Sequence, residues 1–215
     1  MLMGNLKIRS QVLGIVGTNC YLAFDDEMME GVIIDPADNG PVILNQCREL
    51  GVTPKAVLLT HGHFDHICAV PDLVRAFQLP VYAGKGEEKL LSDPSMNLSV
   101  TYGDGVSLKK VEFLDDGDEI SLLGRTWKVI ATPGHTGGSV CYYLEEDKVL
   151  FSGDTLFCES YGRTDFPTGS GRDLVSSVVD KLFVLPEEVN VYPGHESQTT
   201  IGHEKKYNPL SSYQR

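Results

Sequence analysis

Four short apolar runs in this chain each lead into a turn that carries a histidine or an aspartate. Val57-Leu58-Leu59-Thr60 precedes His61-Gly62-His63-Phe64-Asp65-His66, and Val129-Ile130-Ala131-Thr132 precedes Pro133-Gly134-His135. Val149-Leu150-Phe151-Ser152 precedes Gly153-Asp154, and Val189-Asn190-Val191-Tyr192 precedes Pro193-Gly194-His195. Runs this short and apolar read as strands covered on both faces. Strand ends are rigid, so the loops that follow them can converge on one spot. The pattern calls for a layered α/β architecture whose strands deliver side chains to a common edge. Of the six histidines in the chain, five stand in these turns. The pattern H-x-H-x-D-H would arise by chance about 3 times in 10,000 chains of this composition, so it is read as a motif.

The rest of the chain fits that plan. Residues 7–13, 18–24 and 31–35 carry β-branched and aromatic side chains between Gly- and Asp-containing turns and read as strands. Residues 40–50 place Val42, Ile43, Cys47 and Leu50 near helical spacing, and Gly51 stands where a C-terminal cap belongs. Residues 67–78 read as a second helix and 81–83 as a further buried strand. The second half repeats the scheme. There 119–123, 125–131, 139–144 and 149–151 read as strands, 173–185 as an amphipathic helix and 189–192 as a last strand. The recurrence predicts two packed sheets with helices outside, in a single domain spanning 1–215. The acidic runs 115–119 and 145–147 read as turns between strands.

Charge narrows the partners. With 30 acidic against 18 basic residues the formal net charge is −12. Such a surface repels phosphate backbones and anionic membranes, so neither nucleic acid nor a membrane is expected as a partner. The opening Met1-Leu2-Met3-Gly4-Asn5-Leu6-Lys7 lacks the basic-then-apolar order of a leader. No apolar run approaches the roughly 18 residues a membrane span needs. Cys20, Cys47, Cys68, Cys141 and Cys158 are odd in number, scattered and free of any C-x-x-C pair. That usage predicts reduced, mostly buried thiols, Cys158 among them, in a cytoplasmic protein. His203 reads as a solvated residue on a terminal helix. Nothing in the sequence sets an oligomeric state.

The chemistry follows from the residue types. Neutral imidazole and carboxylate suit a borderline divalent ion such as zinc. Two such ions a few ångströms apart repel unless anions lie between them, and a shared carboxylate with a shared hydroxide meets that need. His61, His63, Asp65, His66, His135, Asp154 and His195 suffice for two sites that keep positions open. Open positions mark catalytic rather than structural metal.

His61-x-His63-x-Asp65-His66, followed by His135, Asp154 and His195, resembles the metallo-β-lactamase superfamily position by position, over essentially the whole chain. The resemblance implies an α/β, four-layer αββα sandwich of two mixed sheets with helices outside. It implies one site from His61, His63 and His135 and another from Asp65, His66 and His195, with Asp154 bridging. The implied cofactors are two zinc ions, with iron or manganese as alternatives. Asp35 matches the superfamily's early aspartate, and is either a support behind a ligand or a plain turn residue.

Within the superfamily, Asn19-Cys20-Tyr21, Thr132-Pro133-Gly134-His135-Thr136 and Ser152-Gly153-Asp154-Thr155-Leu156-Phe157 look like glyoxalase II, the hydroxyacylglutathione thioesterase. Gly162-Arg163-Thr164-Asp165-Phe166 and the tail from Thr199 to Pro209 resemble its short, single-domain bacterial relatives. Asp154 stands where zinc β-lactamases place a cysteine, which points away from antibiotic hydrolysis. His63 stands where flavodiiron reductases carry glutamate, which points away from that branch. The implied activity is hydrolysis of a small-molecule thioester, hydroxyacyl-glutathione-like, by a metal-bridging hydroxide that Asp65 orients while also binding metal. Arg163 falls where the family places a basic residue on glutathione, and is the expected substrate-binding residue. Its other reading is a loop brace paired with Asp165. Asp165 itself replaces an aromatic contact position. Full-length glyoxalase II continues into a helical domain with basic residues for glutathione, whereas Lys205, Lys206 and Arg215 are the basic ones among the 20 residues after His195. Persulfide dioxygenases share the Gly-Arg-Thr-Asp-Phe element. The alternative activity is therefore that of a mononuclear iron persulfide dioxygenase built on His61, His135 and Asp154.

Overall fold

The computed structural model describes residues 4–213. Met1, Leu2 and Met3 of the opening stretch, and Arg215 of the basic tail, lie outside the described residues. One sheet runs in the order β1 (Leu6–Leu13), β2 (Thr18–Asp25), β3 (Glu30–Ile34), β4 (Thr53–Leu58), β5 (Val81–Gly84) and β6 (Glu112–Leu114). It is antiparallel through β3 and parallel beyond. The second sheet begins with β7 (Glu119–Leu122), β8 (Arg125–Ala131), β9 (Val140–Leu144) and β10 (Val149–Gly153). A two-stranded hairpin, β11 (Leu156–Phe157) with β12 (Ser160–Tyr161), interrupts it before β13 (Asn190–Pro193) and β14 (Thr199–Thr200) complete it. Its order is β14-β13-β10-β9-β8-β7, with β10 and β13 parallel and the other pairs antiparallel.

The period-2 geometry of strands explains why β2 is buried along its whole length. Cys20, Leu22 and Phe24 face one way, packing with Ile43 and Cys47 of α1 (Gly40–Leu50). Tyr21 and Ala23 face the other, against Trp127, Tyr142 and Phe151 of the second sheet. A third apolar layer joins Cys141, Tyr143, Leu150 and Val191 to Val178, Leu182 and Ile201 on the far side. Three apolar layers between four structural ones make the expected αββα sandwich, two mixed sheets with helices outside. One charged brace crosses the sheets at their edge. Arg125 donates to Asp25 at 2.8 Å, to Asp147 at 3.1 Å and to the Gly4 carbonyl at 2.7 Å. Burial works against ionising Asp25, yet the Arg125 hydrogen bond and the Met28 and Glu27 amides hold its carboxyl below the usual range.

Two helices differ from expectation. The single helix over 67–78 is two, α2 (Phe64–Ile67) and α3 (Val70–Phe77), broken at Cys68 and Ala69. Pro71 is the reason: it lacks an N–H and fits only a first helical turn, so α3 starts beside it. Val70 and Leu73 are the α3 residues buried in the first outer layer. The short α4 (Glu88–Ser92) and α5 (Ser99–Tyr102), and strand β6, were not marked by any periodic pattern. The amphipathic helix expected over 173–185 is α6 (Gly171–Ser176) followed by one widened turn, where the Phe183 amide reaches the Val178 carbonyl five residues back. The terminal helix carrying His203 is α7 (Ile201–Tyr207). Among the described residues no helix is long and apolar enough to cross a membrane. Cys20, Cys47 and Cys141 are buried, whereas Cys68 and Cys158 are half-buried. Cys158 thus departs from the buried thiol expected of it, because it sits on the short β11–β12 turn at the surface.

Candidate metal centre

The parallel course of β10 and β13, and the two antiparallel steps from β8 to β10, point the C-terminal ends of all three strands the same way. The turns after β4, β8, β10 and β13 meet there. His61, His63 and His135 place one ring nitrogen each within 4.8 Å of one another. The same spacing joins ring nitrogens of His66 and His195 with a carboxylate oxygen of Asp65, and ring nitrogens of His61 and His66 with a carboxylate oxygen of Asp154. All seven residues marked in the sequence are therefore brought together. Asp154 faces both groups: Oδ2 lies 3.5 Å from Nε2 of His135 and 3.5 Å from Nε2 of His195, while Oδ1 lies 3.4 Å from Nε2 of His66. Glycine is required beside it. A Cβ on Gly194 would run into the Asp154 carboxylate and sit 2.8 Å from the His66 ring.

The ring tautomers are set from behind. Nδ1 of His135 donates to the Arg163 carbonyl at 2.7 Å, which leaves Nε2 a lone pair aimed at Nδ1 of His63, 2.8 Å away. Thr60 donates its hydroxyl to Asp35 at 2.7 Å and faces Nδ1 of His61 at 3.2 Å, so Nε2 of His61 is the free acceptor. Asp35 also approaches Nδ1 of His66 at 3.0 Å. Of its two readings, the support behind ligands is the one the contacts bear out. Asp65 is fixed by the Thr18 hydroxyl at 2.9 Å and lies 3.3 Å from Nε2 of His195.

Several of these buried atoms have no hydrogen-bond partner: Nε2 of His61, His63 and His66, and Oδ1 of Asp154. Buried polar atoms are rarely left so, and a cluster of them aimed at one another is costly unless a cation joins them. The electrostatics agree. Burial, then the neighbouring imidazoles, push His61 well below its ordinary value and His63 down to about 3. Burial also opposes charge on His66 and His195, but Asp65 and Asp154 outweigh it, raising His66 well above the ordinary value and His195 to about 9. Against burial, those rings hold Asp154 well below the carboxylate range. Neutral His61 and His63 beside an ionised Asp154 are ready ligands, and the carboxylates that draw protons onto His66 and His195 favour a cation there, which a divalent metal would supply in the protons' place. The seven residues fit two ions.

One supporting residue of the site carried no signal in the sequence. Glu87, buried beside α4, accepts from the Gly62 amide at 2.7 Å, the Gly138 amide at 2.9 Å and the Thr136 hydroxyl at 2.7 Å. It ties the His61–His63 turn to the His135 turn. Burial raises its carboxyl above the ordinary value even against these three donors. Asn19 holds the His195 turn through the Pro193 and Glu196 carbonyls at 3.0 and 2.9 Å, and the Tyr21 hydroxyl reaches the Pro193 carbonyl at 2.7 Å. The Asn19-Cys20-Tyr21 segment thus clamps a ligand-bearing loop.

The cluster opens into a cavity of about 560 Å³ whose walls include Val16, Phe64, Tyr102, Phe157, Phe166 and Glu196. Arg163 is not part of the cluster. It lines this cavity, stacks 3.8 Å over the Phe166 ring and makes two 2.7 Å hydrogen bonds to Asp165, the pairing expected of a loop brace. His203 lies apart, 3.0 Å from Glu159.

The chain matches the metallo-beta-lactamase superfamily over residues 13–195. The hydroxyacylglutathione hydrolase GloC of Haemophilus influenzae is 36% identical over 199 residues, covering 89% of this chain and 92% of that protein. Among solved structures, the BLEG-1 B3 metallo-beta-lactamase is 38% identical with a TM-score of 0.90, covering 95% of this chain and 99% of that one. TTHA1623 in a di-iron-bound form is 36% identical with a TM-score of 0.84, covering 94% and 99%.

Proposed function

Since this chain belongs to the metallo-beta-lactamase superfamily, we propose that it is a binuclear metal-dependent hydrolase of small-molecule thioesters, with a hydroxyacyl group as the acyl part. The observation that carries the reading is Asp154 facing both ligand groups at the floor of an open cavity. The likeness to GloC supports the thioester. The whole chain, 1–215, is read as one domain carrying that site.

His61, His63 and His135 would hold one ion, and Asp65, His66 and His195 the other, with Asp154 shared. Zinc is the proposed metal; the di-iron form of TTHA1623 supports iron as the alternative. When bound, such ions supply Lewis acidity and water whose pKa falls towards ~7. The chain's own residues do the rest. Thr18 fixes the Asp65 carboxylate at the cavity floor, where it orients the attacking water. The Arg163 carbonyl keeps a lone pair of His135 turned inward, and the Asp35 carboxylate lies 3.0 Å behind Nδ1 of His66. Phe157 and Phe166 pack against the His195 and His63 rings and keep bulk water off that side. A thiolate leaves at neutral pH without a proton, so the reaction asks no general acid of the cavity.

A second reading, opening of a β-lactam amide, is favoured by the likeness to BLEG-1. The zinc-loaded protein is expected to hydrolyse lactoyl thioesters with no oxygen uptake, and faster than any β-lactam. Stoichiometric oxygen uptake with a persulfide by the iron form, without thioesterase activity in the zinc form, would hand the function to the dioxygenase. β-Lactam hydrolysis with no thioester cleavage would hand it to the second reading.

A further inference from the structure

The mouth of the site has an unusual charge and polarity. A second cavity of about 320 Å³ adjoins the first, and the two share Phe64, Asp65 and Tyr102. The Phe64 and Tyr102 rings stack at 4.3 Å with planes 15° apart, so they form a flat apolar partition between the cavities. Above it stands the tip of the β1–β2 hairpin, where Gly14 and Gly17, both at positive φ, flank Ile15 and Val16. Ile15 is 73% exposed, Val16 49% and Tyr102 53%. Apolar residues scattered singly over a surface need no explanation, but a set gathered on the rim of one cleft marks a binding surface.

The charges at the same mouth are nearly all of one sign. The two linings contain Asp38, Asp65, Asp104, Asp154 and Glu196, and the sole lysine or arginine among them is Arg163. Two of the carboxylates, Asp65 and Asp154, belong to the metal cluster, which leaves Asp38, Asp104 and Glu196 facing the arm of a bound substrate. Arg163 is already engaged, in a bidentate pair with Asp165 and stacked on Phe166. A carboxylate arriving at the mouth meets a guanidinium whose charge Asp165 already offsets and whose Nε–Nη2 edge is taken, with only Nη1 left to bind it among the surrounding acids.

Resting on the thioesterase reading, we propose that the substrate's thiol carrier is an uncharged molecule with an apolar arm, laid across the Phe64–Tyr102 partition under Ile15 and Val16. Asp165, by occupying Arg163, sets the site against carboxylate-bearing thiols such as glutathione.

The test compares lactoyl esters of three thiols on the zinc-loaded full chain: N-acetylcysteamine, N-hexanoylcysteamine and glutathione. The N-hexanoylcysteamine ester is expected to exceed the glutathione ester in kcat/KM by at least about tenfold, the worth of one hydrogen bond to a charged group, mostly through KM. Added salt narrows that gap by screening the mouth. Asp165→Asn releases Arg163 and raises the glutathione-to-acetylcysteamine ratio about tenfold. Joint replacement Ile15→Ser and Val16→Ser removes the advantage of the hexanoyl arm over the acetyl one. A glutathione ester preferred by the wild type, or a ratio that Asp165→Asn does not move, overturns the proposal. Should no ester of any carrier be cleaved, the thioesterase reading falls. Calorimetry with the non-hydrolysable S-methyl derivatives of glutathione and N-hexanoylcysteamine then still decides the carrier: tighter binding of the glutathione derivative overturns the proposal, and tighter binding of the apolar one supports it.

Discussion

Replacement of Asp154 by alanine is expected to strip both metal ions from the protein, whereas replacement of His195 removes one. Asp154 is the one side chain with oxygens toward His135, His66 and His195 together. Its loss takes a ligand from each ion and also removes the anion that offsets their mutual repulsion. His195 contacts only the Asp65 side of the cluster and Asp154, so the ion held by His61, His63 and His135 keeps its ligands. Loss of a residue that merely supports a ligand costs about 10–100-fold in metal affinity or activity, so loss of the shared ligand should cost more than about a hundredfold. Elemental analysis after dialysis against graded chelator reads the difference. A His195→Ala protein as empty as Asp154→Ala would contradict Asp154 as the shared ligand.

Glu87→Ala is expected to cost about 2–6 kcal/mol of stability, because it leaves two amides without their acceptor in a buried site, at about 1–3 kcal/mol for each unsatisfied group. The orphaned amides are those of Gly62 and Gly138, whereas the Thr136 hydroxyl keeps Ser139 Oγ at 2.6 Å as a partner. Two ligand-bearing turns would lose their tie, so metal affinity should fall about 10–100-fold as well. Glu87→Gln keeps one carbonyl oxygen for Thr136 and Gly138 but turns an NH2 toward the Gly62 amide, and should fall between wild type and alanine. Denaturant titration and metal competition check both. An alanine variant within about 0.5 kcal/mol of wild type, the usual range for a featureless surface site, would show that Glu87 braces nothing.

The metal-competent residues were legible because each turn that carries them follows a short apolar run, against which a His or Asp stands out. The four layers were legible for a related reason: β9 and the Val149–Phe151 stretch of β10 are apolar without alternation, which only a sheet covered on both faces tolerates. Glu87 was not legible. Its partners lie 25 residues before it and about 50 after it, and one glutamate in Gly86-Glu87-Glu88 looks like any surface acid. The break at Cys68 and Ala69 is set by Pro71, which allows a helix to begin but not to pass, and apolar spacing on both sides of it hides the break in the sequence. In the sequence Arg163 admits two roles, because a pair at i and i+2 describes a loop without saying which way it faces. Only the fold puts that pair on the rim of the cavity. The apolar lip is legible in hindsight: Ile15 and Val16, held between two glycines at a hairpin tip, have no core to enter.

The most direct measurement is the metal content of the full chain, purified without added metal, then saturated and freed of loosely held ions. Two transition-metal ions per chain are expected, because lone pairs of His61, His63 and His135 converge on one side of Asp154 and Asp65, His66 and His195 on the other. At most one tightly held ion per chain would contradict a binuclear centre.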